Sequence, residues 1–365
     1  MAENNDFKPD WISAPGDTMA DILEERNLSL VEFAERMGHT PKHVNELLRG
    51  RAMITIETAR KLEVVLGASA AFWMIRESQY REDVARIQGE EPSSVDAGWL
   101  SELPLKDMIR FGWVKPVPRF ADEVAACLRF FDVPDVGAWR ETYRGVLEMA
   151  AFRTSSSFDS QPGAVAAWLR QGEIESMSID CKRWDPKQFQ KVLSNIRSLT
   201  RKKDPSFFIP ELVKRCAECG VAVVIVRAPT GCRASGATRF LSPSRALLVL
   251  SFRYLSDDHF WFTFFHEAGH LLLHGKKALF LEGANMASTK EEKEANEFAA
   301  RVLIPLEFQA ALLNVRVDSL EVIKFARRVG ISPGIVVGQL QHVGLIKPNQ
   351  LNTLKRRFSW GNYFS

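Results

Sequence analysis

The sequence predicts a multidomain, mainly α-helical chain, with an all-α unit near its beginning and one α+β domain in its second half. Three observations carry this. Residues 14–86 hold short segments opened by Ser, Thr or Pro and closed by Gly. Residues 99–203 keep apolar side chains at helical spacing, as in Phe120–Phe131 and Gly163–Met177. After Asp204-Pro205, two short apolar runs, Val221–Val226 and Ala246–Ser251, precede a long apolar helix.

The elements follow in order. Asp17 or Thr18 caps a first helix reaching Leu28. Ser29 opens a second with Glu32 three residues on, a capping box, and Gly38 ends it. Thr40-Pro41 starts a third as N-cap and first helical residue, and Gly50 ends it. Thr55 opens a fourth through Leu66-Gly67, and a fifth covers Ala71–Arg86. The expected organisation is a flexible tail at 1–13, a helical domain at 14–86, a turn-rich linker at 87–98 and a helical middle domain at 99–203. The α+β domain at 204–310 and C-terminal helices with a basic tail at 311–365 complete it. Within the last two lie a helix at 209–219, the two strands and helices at 290–303, 318–328 and 333–341. The strand at 246–251 is placed as an edge above the apolar helix, where a peptide could add in extended form.

Composition narrows the function classes. With 365 residues, 46% hydrophobic and 25% charged, the chain can bury several cores. A formal net charge of +3 excludes a chain that is basic throughout, so any nucleic-acid contact needs a local patch. Five cysteines (Cys127, Cys181, Cys216, Cys219, Cys232) are too few and too irregular for a disulfide framework. Cys216 and Cys219 form an isolated C-x-x-C at a helix end, read as two ordinary helix cysteines. The first ten residues lack an apolar signal segment, and the most apolar window, Phe260–Leu273, is too short to span a bilayer. The expectation is a cytoplasmic protein without membrane contact.

The sharpest chemistry is His266-Glu267-Ala268-Gly269-His270, an H-E-x-x-H. Residues four apart share a helix face, so both imidazoles can reach one Zn2+ ion. Glu267 lies about 100° round the helix, beside a water that the ion would activate. The surrounding helix is apolar, and burying two histidines and a glutamate there is costly unless something pairs them. A third protein ligand is needed. His274 continues the series, but three ligands over eight residues span about 12 Å of helix axis and cannot converge. The metzincin continuation fails, because Leu273 and Lys276 stand where Gly and His are needed. The helix Lys290–Leu303 offers a glutamate instead. Helix reading favours Glu294 and leaves Glu291 and Glu297 as competitors. Arg253 and His259 are candidates for stabilising an oxyanion.

The segments Phe262–His274 and Glu294–Pro305 together resemble the ImmA/IrrE family of bacterial and phage metallopeptidases. The resemblance covers roughly residues 205–310. It implies a gluzincin-like α+β fold of the zincin type, with His266, His270 and Glu294 as zinc ligands and Glu267 as catalytic acid/base. Ile304 stands where the family has leucine or methionine before the proline. The resemblance also implies a regulatory protein as substrate, a repressor or an antitoxin.

The pair Ser29–Met37 and Pro41–Arg49, joined through Gly38, has the lengths of a helix-turn-helix. In that geometry Lys42, His43 and Asn45 face base edges, and Thr40, Arg49 and Arg51 hold phosphates. Residues 15–80 resemble the XRE-type domain of HigA-like antitoxins through Pro15-Gly16-Asp17, Leu30–Met37, Ile54–Ala59 and Leu66–Trp73. That resemblance implies operator DNA as partner, commonly bound by a homodimer. The expected function is a DNA-binding regulator whose zinc endopeptidase domain cuts a partner regulatory protein. The alternative is an antitoxin or repressor whose zinc fold binds a partner or senses a signal without proteolysis.

Overall fold

The computed structural model describes residues 12–88, 94–146, 161–274, 280–282 and 290–360. The chain divides into two compact units, Met1–Ser93 and Ser94–Ser365. Most of the expected tail and the centre of the expected linker lie outside the described residues. Residues 94–98 of that linker are helical and belong to the second unit.

The first unit is all-α. Its helices are α1 (Pro15–Glu25), α2 (Leu30–Met37), α3 (Pro41–Leu48), α4 (Ile56–Leu66) and α5 (Ala70–Gln88). The caps of α2, α3 and α4 are those the sequence encodes, but α1 starts earlier and ends earlier than expected: Ala14 is its N-cap, Pro15 its first residue, and Asp17, expected as the cap, lies in the first turn and accepts from the Ala14 N–H at 2.9 Å. Ser29 and Glu32 close a reciprocal capping box, and Thr40 and Thr55 each accept from the backbone N–H three residues on. Met19, Phe33, Val44, Leu62 and Trp73 fill the core. Gly16 is required by proximity: a Cβ there would lie 1.8 Å from the Leu48 carbonyl oxygen, so α1 crosses directly onto α3.

The second unit is built on a four-stranded sheet of order β1-β3-β2-β4, with β1 Val221–Ile225, β2 Gly236–Ser242, β3 Arg245–Leu250 and β4 Phe280–Glu282. β1 and β3 are parallel, and β2 is antiparallel to both β3 and β4. Side chains alternate strictly between two cores. Val221, Val223, Ile225, Leu248 and Leu250 enter one, while Ala222, Val224, Leu247 and Val249 enter the other. A sheet covered on both faces explains why these strands read as unbroken apolar runs.

The structure corrects two expectations. β3 is interior, paired on both sides, so it is no edge strand; a further strand, β2, lies between the two expected ones in sequence. The helical middle is also not a separate core. Helices α6 (Ser94–Glu102), α7 (Leu105–Arg110), α8 (Phe120–Phe131), α9 (Val136–Thr142) and α10 (Pro162–Ser176) pack on the β1/β3 face. Small residues let α10 come close: a Cβ on Gly172 would lie 2.7 Å from Val249 Cγ2. Trp168 Nε1 donates to the Val226 carbonyl at 2.9 Å, and Arg239 of β2 pairs with Glu173 at 2.9 Å.

The opposite face carries α11 (Pro186–Arg197), α12 (Pro205–Ala217), α13 (Asp257–Leu273), α14 (Lys290–Leu303), α15 (Leu306–Leu313), α16 (Ser319–Val329) and α17 (Pro333–His342). α12 starts earlier than expected because Asp204 caps it and Pro205 opens it, leaving Pro210 inside the helix. No helix among the described residues is long and apolar enough to cross a membrane.

Candidate metal centre and helix-turn-helix

Helix α13 carries the H-E-x-x-H in the middle of the second unit. Its first turn is acidic, which suits the positive end of the helix dipole. Asp257 is fully buried and accepts from Ser332 Oγ at 2.7 Å and from the Arg356 backbone N–H at 2.9 Å. Asp258 pairs with Lys355 Nζ at 2.6 Å. Aromatic side chains, Phe260, Trp261, Phe264 and Phe265, bury the same helix against the sheet. The helix is thus held rigidly at its start and along its length.

His266 and His270 are 1% exposed each, and their Nε2 atoms stand 3.0 Å apart. α14 packs across α13 at Gly269, bringing Glu292 against the pair. Glu292 Oε2 is 3.3 Å from His266 Nε2, and Glu292 Oε1 is 3.4 Å from His270 Nε2. Burial pushes the Glu292 carboxyl up, but the pull of the His266 and His270 rings that face it outweighs this and holds its pKa at about 2. Burial lowers the pKa of His270 and so favours the neutral ring.

The sequence placed Glu294 at this point, and the structure places Glu292 there. The reason is the helix face. The buried residues of α14 are Glu292, Ala295, Ala299 and Leu303, a stripe at helical spacing. Glu294 lies off that stripe, 43% exposed, with its Oε2 3.0 Å from His274 Nε2. The competitors Glu291 and Glu297 do not join the cluster either. Extending the stripe back from Ala299 and Ala295 would have reached Glu292. His274 is not a third ligand on the same axis but caps the helix C-terminus, where its ring turns to contact His270.

The donor set fits a zinc ion. Two imidazole nitrogens and a carboxylate oxygen, all buried, lie within 4.8 Å of one another. A tetrahedral ion with bonds of about 2.0–2.1 Å needs ligand atoms roughly 3.3 Å apart, close to the observed separations. Asn296 Oδ1 lies 3.0 Å from His266 Nδ1, the outer contact expected of a metal-ligating histidine. Glu267 is fully buried, and the β2 backbone runs against it: a Cβ on Gly236 would lie 2.7 Å from Glu267 Cγ.

In the first unit, Gly38 ends α2 in the left-handed region at φ 64°, and Thr40 Oγ1 accepts from the His43 N–H at 3.2 Å to start α3. Val44 and Leu47 turn inward. Thr40, Lys42, Arg49 and Arg51 are exposed, and His43 and Asn45 are half-buried.

Two family profiles match this chain. The IrrE N-terminal-like domain matches residues 220–340, and the helix-turn-helix domain matches residues 19–73. The chain is also similar to the uncharacterized HTH-type transcriptional regulator YddM of Escherichia coli (strain K12). The two are 38% identical over 81 residues, which is 20% of this chain and 86% of that protein. The chain belongs to the helix-turn-helix family of transcriptional regulators. Its second unit adds an IrrE-like domain to that regulator.

The IrrE-like match extends past residue 310, the boundary expected from sequence, and takes in α16 and most of α17. A buried hydrogen bond accounts for this: Asp257 at the start of α13 is held by Ser332, so those helices are part of the same fold. The two oxyanion candidates do not join the His/Glu cluster. His259 stacks on Tyr254 with ring centroids 4.2 Å apart, about two helical turns before His266. The Arg253 guanidinium lies over Tyr254, 5.0 Å from the ring centroid, and donates to the Arg233 carbonyl. The five cysteines are unpaired, and four of them, Cys216 and Cys219 included, are buried. Burial pushes the Cys216 thiol pKa well up and that of Cys219 to about 11, which suits inert core thiols.

Proposed function

We propose that this regulator binds operator DNA through its first unit and that its IrrE-like domain is a zinc endopeptidase. Its substrate is one peptide bond in a partner regulatory protein, a repressor or an antitoxin. The observation that carries the peptidase reading is the meeting of His266, His270 and Glu292 at one buried point, with Glu267 the next residue after His266.

His266 and His270 would hold the ion through Nε2, and Glu292 through its carboxylate. Bound there, zinc would supply Lewis-acid chemistry, lowering the pKa of water and polarising the scissile carbonyl. Glu267 is the general base: its carboxylate takes the proton of the attacking water and passes it to the leaving amide nitrogen. Packing of the Gly236 backbone against Glu267 fixes that carboxylate and excludes water from its far side. Asn296 keeps the His266 ring oriented.

For the first unit, the exposed cations Lys42, Arg49 and Arg51 cluster at α3 and just beyond it, with Thr40 at the helix start. α3 would enter the major groove by its N-terminal half. Lys42, His43 and Asn45 would face bases, and Thr40, Arg49 and Arg51 phosphates, in a homodimer on a two-fold site.

The test is to incubate purified zinc-loaded wild type and Glu267→Gln with the regulators encoded beside it, and to read cleavage by mass spectrometry. A cut made by wild type alone supports the peptidase. Zinc-loaded protein that binds such a partner and leaves it whole favours partner binding without proteolysis.

A further inference from the structure

Beyond the three donors, one chain of contacts runs outward from His270. His270 Nδ1 stands 2.9 Å from His274 Nδ1, and His274 Nε2 stands 3.0 Å from Glu294 Oε2. His274 is 6% exposed, while Glu294 opens to solvent. We infer that Glu294 and His274 are positioning residues that fix the tautomer of His270, so that its Nε2 lone pair faces the ion. This rests on the zinc reading of the cluster and adds to it two residues that do not touch the metal point.

Along the chain from Glu294, neutral rings have one arrangement, and it competes with an Nε2–H on His270 that would point at Glu292, 3.4 Å away. An ionised carboxylate only accepts, so His274 Nε2 must carry a hydrogen and donate it to Glu294. A neutral His274 then has a bare Nδ1, which accepts. His270 Nδ1 must therefore carry its hydrogen and donate it to His274. That leaves His270 Nε2 without a hydrogen, the form a metal ligand requires. His266 gets the same result in one step, by donating Nδ1–H to Asn296 Oδ1. The two ligands are thus set by different devices, an amide for one and a carboxylate-terminated imidazole for the other. His274 can serve because α13 ends on it: its backbone leaves helical geometry at φ −112°, ψ 3°, and the ring reaches both His270 and α14.

The test uses the full-length protein and zinc itself, with affinity read by competition against a chromophoric chelator at fixed pH. Histidine-selective 15N spectra of the metal-free protein report which ring nitrogen of His270 carries hydrogen. Loss of an outer partner of a metal-ligating histidine weakens metal binding about 10–100-fold, so His274→Phe should fall in that range and Glu294→Ala near its lower end. Glu294→Gln, whose amide oxygen still accepts from His274, should recover most of the loss. Because both residues act in one chain, the double variant should lose no more than His274→Phe alone. In wild type His270 should be protonated on Nδ1, and in His274→Phe the two tautomers should mix. Half-exposed Glu294 gives a variant that keeps its fold if His274→Phe does not. Unchanged zinc affinity in Glu294→Ala and His274→Phe would overturn the inference. So would a loss in Glu294→Ala as complete as in Glu292→Ala, which would make Glu294 a ligand. If wild type takes up no zinc, the peptidase reading falls, and the 15N spectra alone decide the chain. Hydrogen on His270 Nδ1 then supports it, and hydrogen on Nε2 overturns it.

Discussion

Gly269 lies directly against Ala295: a Cβ at 269 would sit 3.3 Å from the Ala295 Cα and 3.0 Å from Phe298 Cδ1. This contact sets how near α14 approaches α13, and hence whether Glu292 reaches the two imidazoles. Gly269→Val should push the helices apart. The expected result is a stability loss of about 1–3 kcal/mol from overpacking, measured by urea unfolding, together with weaker zinc binding. Zinc affinity equal to wild type would show that α14 can shift without moving Glu292.

Glu267→Gln should keep zinc and the fold and lose the reaction. Removing a general base typically costs about 100- to 10,000-fold in rate. Zinc content by elemental analysis and cleavage rate on the same preparation separate the two effects. Loss of zinc in this variant would mean that Glu267 holds the site together instead of moving a proton.

The Asp258–Lys355 pair is buried, with side-chain exposures of 7% and 9%. Burial pushes the Asp258 carboxyl up, but the Lys355 ammonium bound to it and the other positive charges nearby bring its pKa below the ordinary value of 3.8. A carboxyl depressed in the folded state stabilises the protein above its unfolded pKa, and that gain is lost as pH falls through the folded value. Lys355→Met strands the charge, and breaking one side of a buried pair costs about 3–5 kcal/mol. The gap between wild type and variant should be widest near neutral pH and should shrink as pH falls, first as the stranded carboxyl of the variant takes a proton above the ordinary carboxylate range and then as Asp258 of wild type does so below it. Urea midpoints across that range check it, and a gap independent of pH would rule out the ion pair as its source.

In the first unit, Lys42→Ala with Asn45→Ala should weaken specific DNA binding by about 1–3 kcal/mol for each base-reading side chain removed. Arg49→Ala and Arg51→Ala should weaken binding to all sequences alike, each lowering the salt dependence by about one phosphate contact. Fluorescence anisotropy at several salt concentrations distinguishes the two groups. Affinity unchanged in the first pair would remove Lys42 and Asn45 from the base-reading face.

Thiol chemistry offers a plain check on the core. With Cys127, Cys216, Cys219 and Cys232 buried, native protein should react with a thiol reagent at Cys181 first. The other four should follow at the rate of unfolding. Fast modification of Cys216 and Cys219 as a pair would point to redox chemistry instead.

Much of this was legible in the sequence because it is local. The Ser29 and Thr40 caps, the Gly38 turn and the spacing of His266 and His270 are decided within one or two helical turns. What escaped depends on tertiary contact. β2 begins Gly236-Ala237-Thr238 and buries only its first three residues, so it lacks the alternation or apolar run that marks a strand. Glu292 stood among four glutamates in eight residues, and only the buried stripe it shares with Ala295 and Ala299 separates it from Glu294. The middle helices looked independent because their small residues, such as Gly172, gain meaning only against Val249 of the sheet.

The backbone N–H of Arg356 and the ammonium of Lys355 close the start of the histidine helix from far down the chain. A ribosome therefore delivers the H-E-x-x-H segment well before it delivers the groups that hold Asp257 and Asp258. At about 5–20 residues per second, several seconds pass between the two. During that interval the first unit is already complete and able to fold, so the regulator would acquire its DNA-reading half before its metal point is anchored.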